Sequence, residues 1–352
     1  MKTAVLSLLA IAANHVSAHA TFQQLWIDGV DFGGQCARLP LSNSPIQDVT
    51  SNNVRCNANS GPVARKCVVK AGSSIVVEMH QQPNDRSCAQ EAIGGAHYGP
   101  VLAYLTKVAD SSTADGSTGW FKIYQDGWSA KAGSVNGDGD NWGSKDMNTC
   151  CGKVQLRIPA DIPAGDYLLR AESVALHAAG SSGGAQLYMT CFQLTITGGG
   201  SASPGTVLFP GAYKASDPGL LVDIHRSLAT YVVPGPTVYA GGSTKSAGSG
   251  CVGCESTCTA GSGPTGTASS VPQATVTGGL PGCAVAKFAQ CGGEGYTGCT
   301  TCAVDGDADK RKVGLDVPSC LPSVLLPVRL RKAEDLNKES FGVIRAEFER
   351  AD

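Results

Sequence analysis

A predicted signal peptide ends at the junction Val16-Ser17-Ala18-His19, which would make His19 the first residue of the mature protein. The apolar core before it runs only from Val5 to Ala13, too short to span a bilayer, and small residues occupy positions −3 and −1. A histidine with a free α-amino group offers two nitrogens that can chelate a transition metal in a ring. Nitrogen ligands suit copper, which also tops the divalent affinity series. Cleavage can also leave a histidine first by accident, so a metal site requires a second ligand.

The second candidate ligand is His97, in the segment Gly94-Gly95-Ala96-His97-Tyr98-Gly99-Pro100. The glycines on both sides indicate a turn that enters a predicted strand beginning at Pro100. A histidine on such a turn can project from a sandwich face rather than into its core. From these residues alone, an ordinary turn histidine without a ligand role is an open alternative.

Three more polar residues lie around one predicted strand–loop–strand segment. His177 follows a predicted strand over Tyr167–Leu176, and Gln186 and Tyr188 begin the next strand. Side chains of a strand repeat every two residues, so Gln186 and Tyr188 share one face. Tyr188 is a candidate for an axial approach to a metal, and His177 and Gln186 are candidates to hydrogen-bond an oxygen species beside it. A buried core tyrosine is the simpler alternative for Tyr188.

Short strands must position these side chains. From Ala20 to about Gly242, runs rich in Val, Ile, Tyr and Phe alternate with Gly, Pro, Asn, Asp and Ser clusters, without a sustained helical period. This pattern predicts an all-β protein with an antiparallel β-sandwich, in which Ala132–Asn148 is a surface loop. The predicted strands are Ser74–His80, Pro100–Val108, Trp120–Gln125, Lys153–Ile158, Tyr167–Leu176 and Gln186–Thr197.

The composition indicates the compartment and excludes two classes of partner. The 352 residues carry a formal net charge of −2, so neither a basic surface for nucleic acid nor a polybasic membrane patch is expected. The 15 cysteines of an exported chain indicate disulfides, and their odd number leaves at least one thiol unpaired in a monomer. We expect a soluble, secreted monomer.

The composition changes after Gly242. Residues 243–282 are rich in Gly, Ser, Thr, Ala and Pro, which predicts a flexible linker. It contains Cys251, Cys254 and Cys258, whose spacing could suggest a metal site, but no matching second half follows. We favour a local disulfide, or no specific role, for these cysteines. A second small module begins near Cys283.

Several separated motifs resemble fungal lytic polysaccharide monooxygenases of auxiliary activity family 9, once grouped as glycoside hydrolase family 61. The resemblance covers roughly residues 19–242, and the motifs occur in the family's order. They are His19 at the mature start, Gly95-Ala96-His97-Tyr98-Gly99-Pro100, the segment 175–191 and the C-terminal segments 211–219 and 231–237.

This resemblance implies a role for each residue of the candidate site. His19 would supply its amino nitrogen and Nδ1, and His97 a third nitrogen, to hold one copper ion per chain in a histidine brace. Tyr188 would be the axial residue, and His177 and Gln186 would position oxygen or peroxide.

The family's fold is a β-sandwich of the immunoglobulin or fibronectin kind, in agreement with the strand pattern. The resemblance also implies a disulfide between Cys56 and Cys191. Tyr213, in the C-terminal segment, is a candidate for stacking on the substrate, and a filler residue under a loop is an equal alternative.

The implied activity is oxidative cleavage of the β-1,4-glycosidic bonds of cellulose by hydroxylation at C1, with C4 as the alternative. Acids and bases do not remove hydrogen from the strong C–H bond beside the glycosidic oxygen, whereas reduced copper can activate O2 or H2O2 for this purpose. The expected partners are cellulose or a related β-1,4-glucan, O2 or H2O2, and an external reductant such as ascorbate, a phenol or cellobiose dehydrogenase. No nucleic-acid or membrane partner is expected.

The segment from Phe288 to Cys302 is similar to the start of a fungal family 1 cellulose-binding module, in which Phe288 would be the first aromatic ring facing cellulose. The pattern stops after Ala303, before the remaining cysteines and tyrosines of that family. A module this small depends on its disulfides. We expect a truncated module, arising from a mispredicted splice site or in an isoform that has lost its anchor. The predicted organisation is signal peptide 1–18, sandwich 19–242, linker 243–282, truncated module 283–303 and disordered tail 304–352.

Two other functions are open. A hydrolytic glycosidase needs two positioned carboxylates, and Glu78, Glu91 and Glu172 show no pairing pattern. A secreted copper-binding or wall-adhesion protein would use the same two histidines without oxidation. The presence of both His177 and Gln186 argues against that second alternative.

Overall fold

The computed structural model describes residues 19–251 and 264–271, together with the backbone of residues 307–308 and 320–321. The chain divides into two units, Met1–Pro272 and Gln273–Asp352. The predicted signal peptide, Cys254, Cys258 and Phe288 lie outside the described residues.

Runs of β-branched and aromatic residues form the strands of the first unit. Two predicted strands, Ser74–His80 and Gln186–Thr197, have the predicted bounds, and the other four differ by one or two residues at one or both ends. The strands are β1 Thr21–Ile27, β2 Val30–Asp31, β3 Ala37–Arg38, β4 Arg65–Lys70, β5 Ser74–His80, β6 Val101–Val108, β7 Trp120–Asp126, β8 Trp128–Ser129, β9 Asn141–Trp142, β10 Lys153–Arg157, β11 Gly165–Ala175, β12 Gln186–Thr197, β13 Ser243–Lys245 and β14 Ser269–Ser270. The helical elements are α1 Gly143–Thr149 and the 3-10 turns Asn52–Val54 and Gly137–Gly139.

Two sheets contribute the inner faces of a β-sandwich. The smaller sheet has the order β10-β5-β1-β2, and the larger has the order β13-β7-β6-β11-β12-β4-β14, with β3 also paired to β12. The pairs β12–β4 and β13–β7 are parallel, whereas the central pairs of both sheets are antiparallel. The sandwich that the strand pattern predicts is therefore present, with two parallel pairs near the ends of the larger sheet.

Alternate residues of the central strands face opposite layers. On β6, Val101 and Ala103 join the core between the sheets with Phe22 of β1 and Val77 of β5. Leu102 and its even-numbered neighbours on β6 join a second apolar cluster on the outer face of the larger sheet. Both faces of this sheet are covered, so its central strands are buried along nearly their whole length, including polar side chains.

The segment after β12 covers that outer face. Tyr213 belongs to it and is only 3% exposed, with its hydroxyl 2.8 Å from the Tyr104 hydroxyl and donating to Glu172 at 2.6 Å. The predicted role of Tyr213 in stacking on the substrate is wrong, because its ring is buried against Phe209 in the covering layer. The alternative of a filler residue under a loop is the correct one.

The segment Ala132–Asn148, predicted as a surface loop, contains a short helix instead. Trp142 ends strand β9 and is fully buried, and Met147 of α1 is 2% exposed. The indole Nε1 of Trp142 donates to the Gly137 carbonyl at 2.7 Å. Seven residues are too few to show a helical period in sequence, so tertiary burial rather than amphipathicity defines this helix. Within residues 19–251 and 264–271, no helix has the length and apolar character needed to cross a membrane.

Parts of the predicted flexible linker pack on the sandwich. Ser243–Lys245 adds a strand beside β7, and Ser269–Ser270 adds one beside β4. Ala268 is 3% exposed and lies in the core between the sheets. The Lys245 ammonium bonds the Asp146 carboxylate at 2.9 Å. For residues 243–251 and 264–271 the predicted boundary at 242 is therefore wrong, because backbone pairing and buried contacts override a composition typical of linkers.

Four disulfides join described cysteines. Cys56 and Cys191, the pair that the family resemblance implies, are bonded. Cys251 pairs with Cys150 at the end of α1, whereas the sequence favoured a local disulfide or no role for it. The other pairs are Cys36–Cys67 and Cys88–Cys151.

The second unit contains one described strand pair. Asp307–Ala308 (β15) and Cys320–Leu321 (β16) are antiparallel. These four residues form a strand pair within the range 304–352, which was predicted to be a disordered tail. The remainder of that range, and the predicted module 283–303, lie outside the described residues.

The buried ion pair of β11 allows a test of how the packing between β11 and the segment after β12 contributes to stability. Arg170 and Glu172 are both fully buried and share two hydrogen bonds of 2.6 and 2.7 Å. Glu172→Ala should lower the free energy of unfolding by about 3–5 kcal/mol, because it leaves the Arg170 charge buried without its partner. Urea unfolding followed by tryptophan fluorescence measures this loss.

A matched pair of variants controls this test. Tyr213→Phe keeps the ion pair and removes one hydroxyl, so it should cost about 1 kcal/mol. Glu91→Ala changes an exposed carboxylate and should stay within about 0.5 kcal/mol of the parent protein. A Glu172→Ala protein as stable as Glu91→Ala would contradict the structural role of the ion pair.

Candidate metal centre

Four strand ends meet at one edge of the sandwich. The beginning of β6 lies beside the end of β11, because Val101 pairs with Ser173, and β12 begins where Gln186 pairs with Ala175. His19 lies two residues before the start of β1, and its ring centroid is 6.3 Å from that of Tyr188. Strand pairing therefore brings residues that are far apart in sequence to a single edge.

Close backbone packing fixes the turn that carries His97. A side chain at Gly99 would collide with the Val174 carbonyl oxygen, so this position requires glycine. The Leu176 amide donates to the Tyr98 carbonyl at 2.9 Å, and the Gly99 amide donates to the Ser144 hydroxyl at 3.1 Å. The turn is thus held between β11 and the first turn of α1.

His19 lies at the surface, with its main chain anchored at its carbonyl and through the residue that follows. Asn43 Nδ2 donates to the His19 carbonyl at 3.3 Å and to the Gln81 carbonyl at 2.8 Å. The next residue, Ala20, is 2% exposed and packs in the core. The His19 nitrogen is joined to Ala18 in the full chain, and cleavage at the predicted junction would free it as an amine.

A buried phenol lies near both histidine rings. The Tyr188 ring centroid is 5.9 Å from that of His97, with an interplanar angle of 69°. The Tyr188 hydroxyl donates to Gln186 Oε1 at 2.7 Å, so the two side chains share one strand face as predicted. Burial raises the pKa of Tyr188, and the phenol therefore remains a protonated hydrogen-bond donor.

His177 is the second residue after the end of β11. Its ring centroid is 4.3 Å from that of His97, and its Nδ1 is buried without a hydrogen-bond partner among the described residues. The loop that follows is tightly folded, since a side chain at Gly184 would collide with the Ala178 carbonyl. His177 is thus held near His97 with one ring nitrogen still able to bind a ligand.

The electrostatics of the edge favour neutral histidines. Burial, followed by the neighbouring His177 and His19 rings, lowers the pKa of His97 to about 4. Burial and the rings of His225 and His19 also lower the pKa of His177. A neutral imidazole is the form that binds a metal ion.

The donors present fit a copper ion. The Nδ1 of His97 is buried and lacks a hydrogen-bond partner in the described part of the chain. Residues 19–251 and 264–271 hold no cluster of three or more His, Cys, Asp or Glu side chains arranged for a metal. A site of two imidazoles and one amino group would not form such a cluster, and an all-nitrogen donor set suits copper.

Five of the predicted site residues lie at this edge, and Tyr213 does not. The structure brings together His19, His97, His177, Gln186 and Tyr188. Tyr213 is buried in the covering layer, and Phe288 is outside the described residues.

Sequence reasoning missed the residues that support the site. Asn43 and Ser144 hold the main chain at His19 and Gly99, but they are isolated polar residues in the sequence. Gly99 carried a signal, because it stands between His97 and Pro100 in a motif of small residues.

Comparison with known families identifies the first unit. The model of Auxiliary Activity family 9 (formerly GH61) matches residues 19–231. The chain belongs to this family. A second model, the fungal cellulose binding domain, matches residues 287–305.

Curated relatives are similar over most of their length. The chain is 66% identical to "AA9 family lytic polysaccharide monooxygenase E" of Neurospora crassa, over 84% of this chain and 92% of that protein. It is 65% identical to "AA9 family lytic polysaccharide monooxygenase B" of Thermothelomyces thermophilus, over 86% of this chain and 95% of that protein.

Solved structures support the fold. CvAA9A is 29% identical, with a TM-score of 0.57 over 64% of this chain and all (100%) of that chain. A structure titled "Extended catalytic domain of H. jecorina LPMO9A a.k.a EG4" is 25% identical, with a TM-score of 0.58 over 72% of this chain and 100% of that chain. The predicted immunoglobulin-like sandwich is confirmed.

Family membership establishes the general activity. Family 9 enzymes are copper-dependent oxidoreductases that cleave polysaccharides oxidatively, and fungal members are typically secreted. This chain is accordingly an oxidoreductase whose substrate class is a polysaccharide, with a cellulose-binding sequence near its C-terminus.

The lowered pKa of His97 is directly measurable. In metal-free protein, the His97 ring should stay neutral until the pH falls to about 4, because burial disfavours its charged form. The same shift costs stability as the pH falls from about 6.5 towards 4, since the unfolded chain takes up the proton first. Imidazole ¹⁵N NMR of histidine-labelled protein measures the titration, and His97→Ala identifies the signal. A midpoint near 6.5 would show that the ring is solvated and not pre-set as a ligand.

Proposed function

We propose that the mature protein is a secreted, copper-dependent lytic cellulose monooxygenase that hydroxylates C1 of β-1,4-linked glucan chains. C4 is the alternative position. It uses O2 or H2O2 and electrons from an external reductant such as ascorbate, a phenol or cellobiose dehydrogenase. One observation carries the proposal: the His19 and His97 rings lie within 6.3 and 5.9 Å of the same buried phenol, at an edge where His19 is open to solvent.

The chain's own residues would each have one task. His19, through its amino nitrogen and Nδ1, and His97, through a third nitrogen, would hold copper. Tyr188 would lie beside the bound ion. Copper bound there would supply the one-electron chemistry that activates O2 or H2O2.

Two further side chains would orient the oxidant. The free Nδ1 of His177 and the amide of Gln186 are available as hydrogen-bonding groups beside the histidine pair. The Tyr188 hydroxyl fixes Gln186 by donating to its Oε1, which leaves the Gln186 amide nitrogen to donate elsewhere. Precise placement of an oxidant next to a C–H bond depends on such supporting contacts.

The geometry disfavours a hydrolase. Glu78 and Glu172 are fully buried and paired with Arg86 and Arg170. Burial alone would raise the pKa of Glu78, but hydrogen bonds from His80 and Arg86 lower it to about 2. Neither carboxyl is available as a general acid or as a partner of the exposed Glu91.

Export and substrate targeting complete the proposal. Signal-peptide removal after Ala18 would create the amino ligand, and the protein would act extracellularly as a monomer. The match of a cellulose-binding model to residues 287–305 supports cellulose as the substrate. We propose that residues 283–303 are a truncated binding module with Phe288 as a cellulose-facing ring.

Products formed from cellulose test the proposed reaction. Protein beginning at His19, with one equivalent of copper, ascorbate and peroxide, should release aldonic acids, which mass spectrometry detects. Oxidation at C4 would give 4-keto sugars instead. His97→Ala, metal-free protein and reductant-free reactions should each give no oxidised product.

Two results would reject the monooxygenase on cellulose. Unoxidised oligosaccharides that persist without reductant would indicate a hydrolase. Copper that binds tightly with no product formed would indicate another polysaccharide or a copper-binding protein.

The role of the His19 amino group has its own test. A protein with one extra glycine before His19 keeps every side chain and lacks only the free amine at His19. Its copper affinity should fall by more than about 100-fold, which is the upper range for loss of a merely supporting residue. Isothermal titration calorimetry measures the affinity, and the protein beginning at His19 is the matched control. Equal affinities would exclude the amino nitrogen as a ligand.

A further inference from the structure

His225 links two segments behind the candidate site. Its Nδ1 lies 2.7 Å from Asp138 Oδ2, and its Nε2 lies 2.9 Å from the His177 carbonyl oxygen. Asp138 belongs to the 3-10 turn Gly137–Gly139, and His177 begins the loop after β11. The ring of His225 is exposed, so water can exchange protons with it.

Both partners of His225 are hydrogen-bond acceptors. A carboxylate and a carbonyl have no proton to donate, and a neutral imidazole has a single N–H. The neutral ring can therefore satisfy only one of the two contacts. The imidazolium, with an N–H on each nitrogen, satisfies both. The hydrogen bonds to Asp138 and to the His177 carbonyl, in that order, raise the pKa of His225.

Other charged groups lie around His225. The His225 backbone amide donates a hydrogen bond to Asp223 Oδ1 at 3.1 Å, and Arg226 Nε donates one to Asp223 Oδ2 at 2.8 Å. Lys145 of α1 donates to the Asp138 carbonyl at 2.5 Å. The ring of His177 is a further titratable neighbour, and burial, followed by the rings of His225 and His19, lowers its pKa. The nearby carboxylates of Asp138 and Asp223 thus favour the imidazolium of His225. The positive charges of Lys145 and Arg226 act in the opposite direction.

Backbone hydrogen bonds also link these segments. The Val222 amide donates to the Ala179 carbonyl at 2.9 Å, and the Asp138 amide donates to the Ile224 carbonyl at 3.0 Å. These bonds do not titrate. The His225–His177 bond differs from them because it acts on the residue whose ring lies 4.3 Å from His97.

We propose that His225 is a positioning residue that, with both ring N–H groups donating, holds the His177 backbone against the Asp138 turn and thereby sets His177 at the candidate metal edge. This inference rests on the function proposed for His177. Both ring hydrogen bonds of His225 form below its pKa, where each ring nitrogen carries a proton. Because the pKa of His225 is raised in the folded state, the stability provided by its two ring hydrogen bonds is lost as the pH rises through that pKa. Above it, one of the two hydrogen bonds is released.

The first test is a titration that needs neither copper nor substrate. In metal-free, histidine-labelled protein beginning at His19, ¹⁵N NMR should show His225 with protons on both nitrogens and a midpoint above 6.5. Asp138→Asn should lower that midpoint, because it removes the carboxylate partner. The His177 ring signal should shift with the same midpoint, and His225→Gln should abolish that shift.

The second test measures the oxidation rate from pH 5 to pH 9. The ratio of the parent rate to the His225→Gln rate should be about tenfold at pH 5 and approach one as His225 loses its proton. Dividing the two rates cancels the titration of the other groups. Arg226→Gln is the matched control, because it removes a charge from the same turn without a side-chain bond to the His177 loop.

Each outcome decides the proposal. A His225 titration midpoint at or below 6.5 would overturn the proposal. A His177 signal that does not shift when His225 titrates would also overturn it, even in an inactive protein. A rate ratio that is constant with pH, or that Arg226→Gln reproduces, would also overturn it. If the NMR results hold and no variant oxidises cellulose, the proposed reaction on cellulose fails while the positioning contact stands.

Discussion

The antiparallel pairing of β6, β11 and β12 is the constraint on which the candidate site depends. Strand β11 pairs with β12 from Gly165 to Ala175 and with β6 from Asp166 to Ser173. A slip of one residue in β12 would move Gln186 and Tyr188 from the face between the sheets to the outer face. The long registers with strands on both sides make such a slip costly. The same pairing places the His97 turn, the His177 loop and the start of β12 side by side.

Burial of both faces of the larger sheet explains much of the remaining structure. The outer face carries Arg170 and Glu172, charges that the interior tolerates only as a hydrogen-bonded pair. The segment containing Phe209 and Tyr213 covers this face and donates a hydroxyl to Glu172. The covering layer then continues to His225, which reaches the His177 carbonyl. Packing of the outer layer and placement of the site are therefore parts of one arrangement.

The site combines a rigid frame with an open edge. His97 and Tyr188 are 8% and 1% exposed, whereas His19 is open to solvent. Burial keeps the His97 imidazole neutral and the Tyr188 phenol protonated. These are the states required of a metal ligand and of a donor to Gln186. An edge of this kind lets a large polysaccharide approach residues whose protonation states the interior has already fixed.

Much of this could be predicted from local sequence. Runs of β-branched and aromatic residues predicted the central strands, and the flanking glycines predicted the His97 turn. The two-residue repeat of a strand predicted the shared face of Gln186 and Tyr188. Each of these features depends on a local pattern. The sequence motifs also identified the family. Tertiary structure decided the rest. Burial by the covering layer turned Tyr213 from a candidate surface residue into a core residue, and backbone pairing drew residues 243–251 and 264–271 onto the sandwich. The contacts of Asn43 with His19, and of Asp138 with His225, join residues 24 and 87 positions apart. Such contacts leave no local pattern, because they arise only when distant strand ends are brought to the same edge.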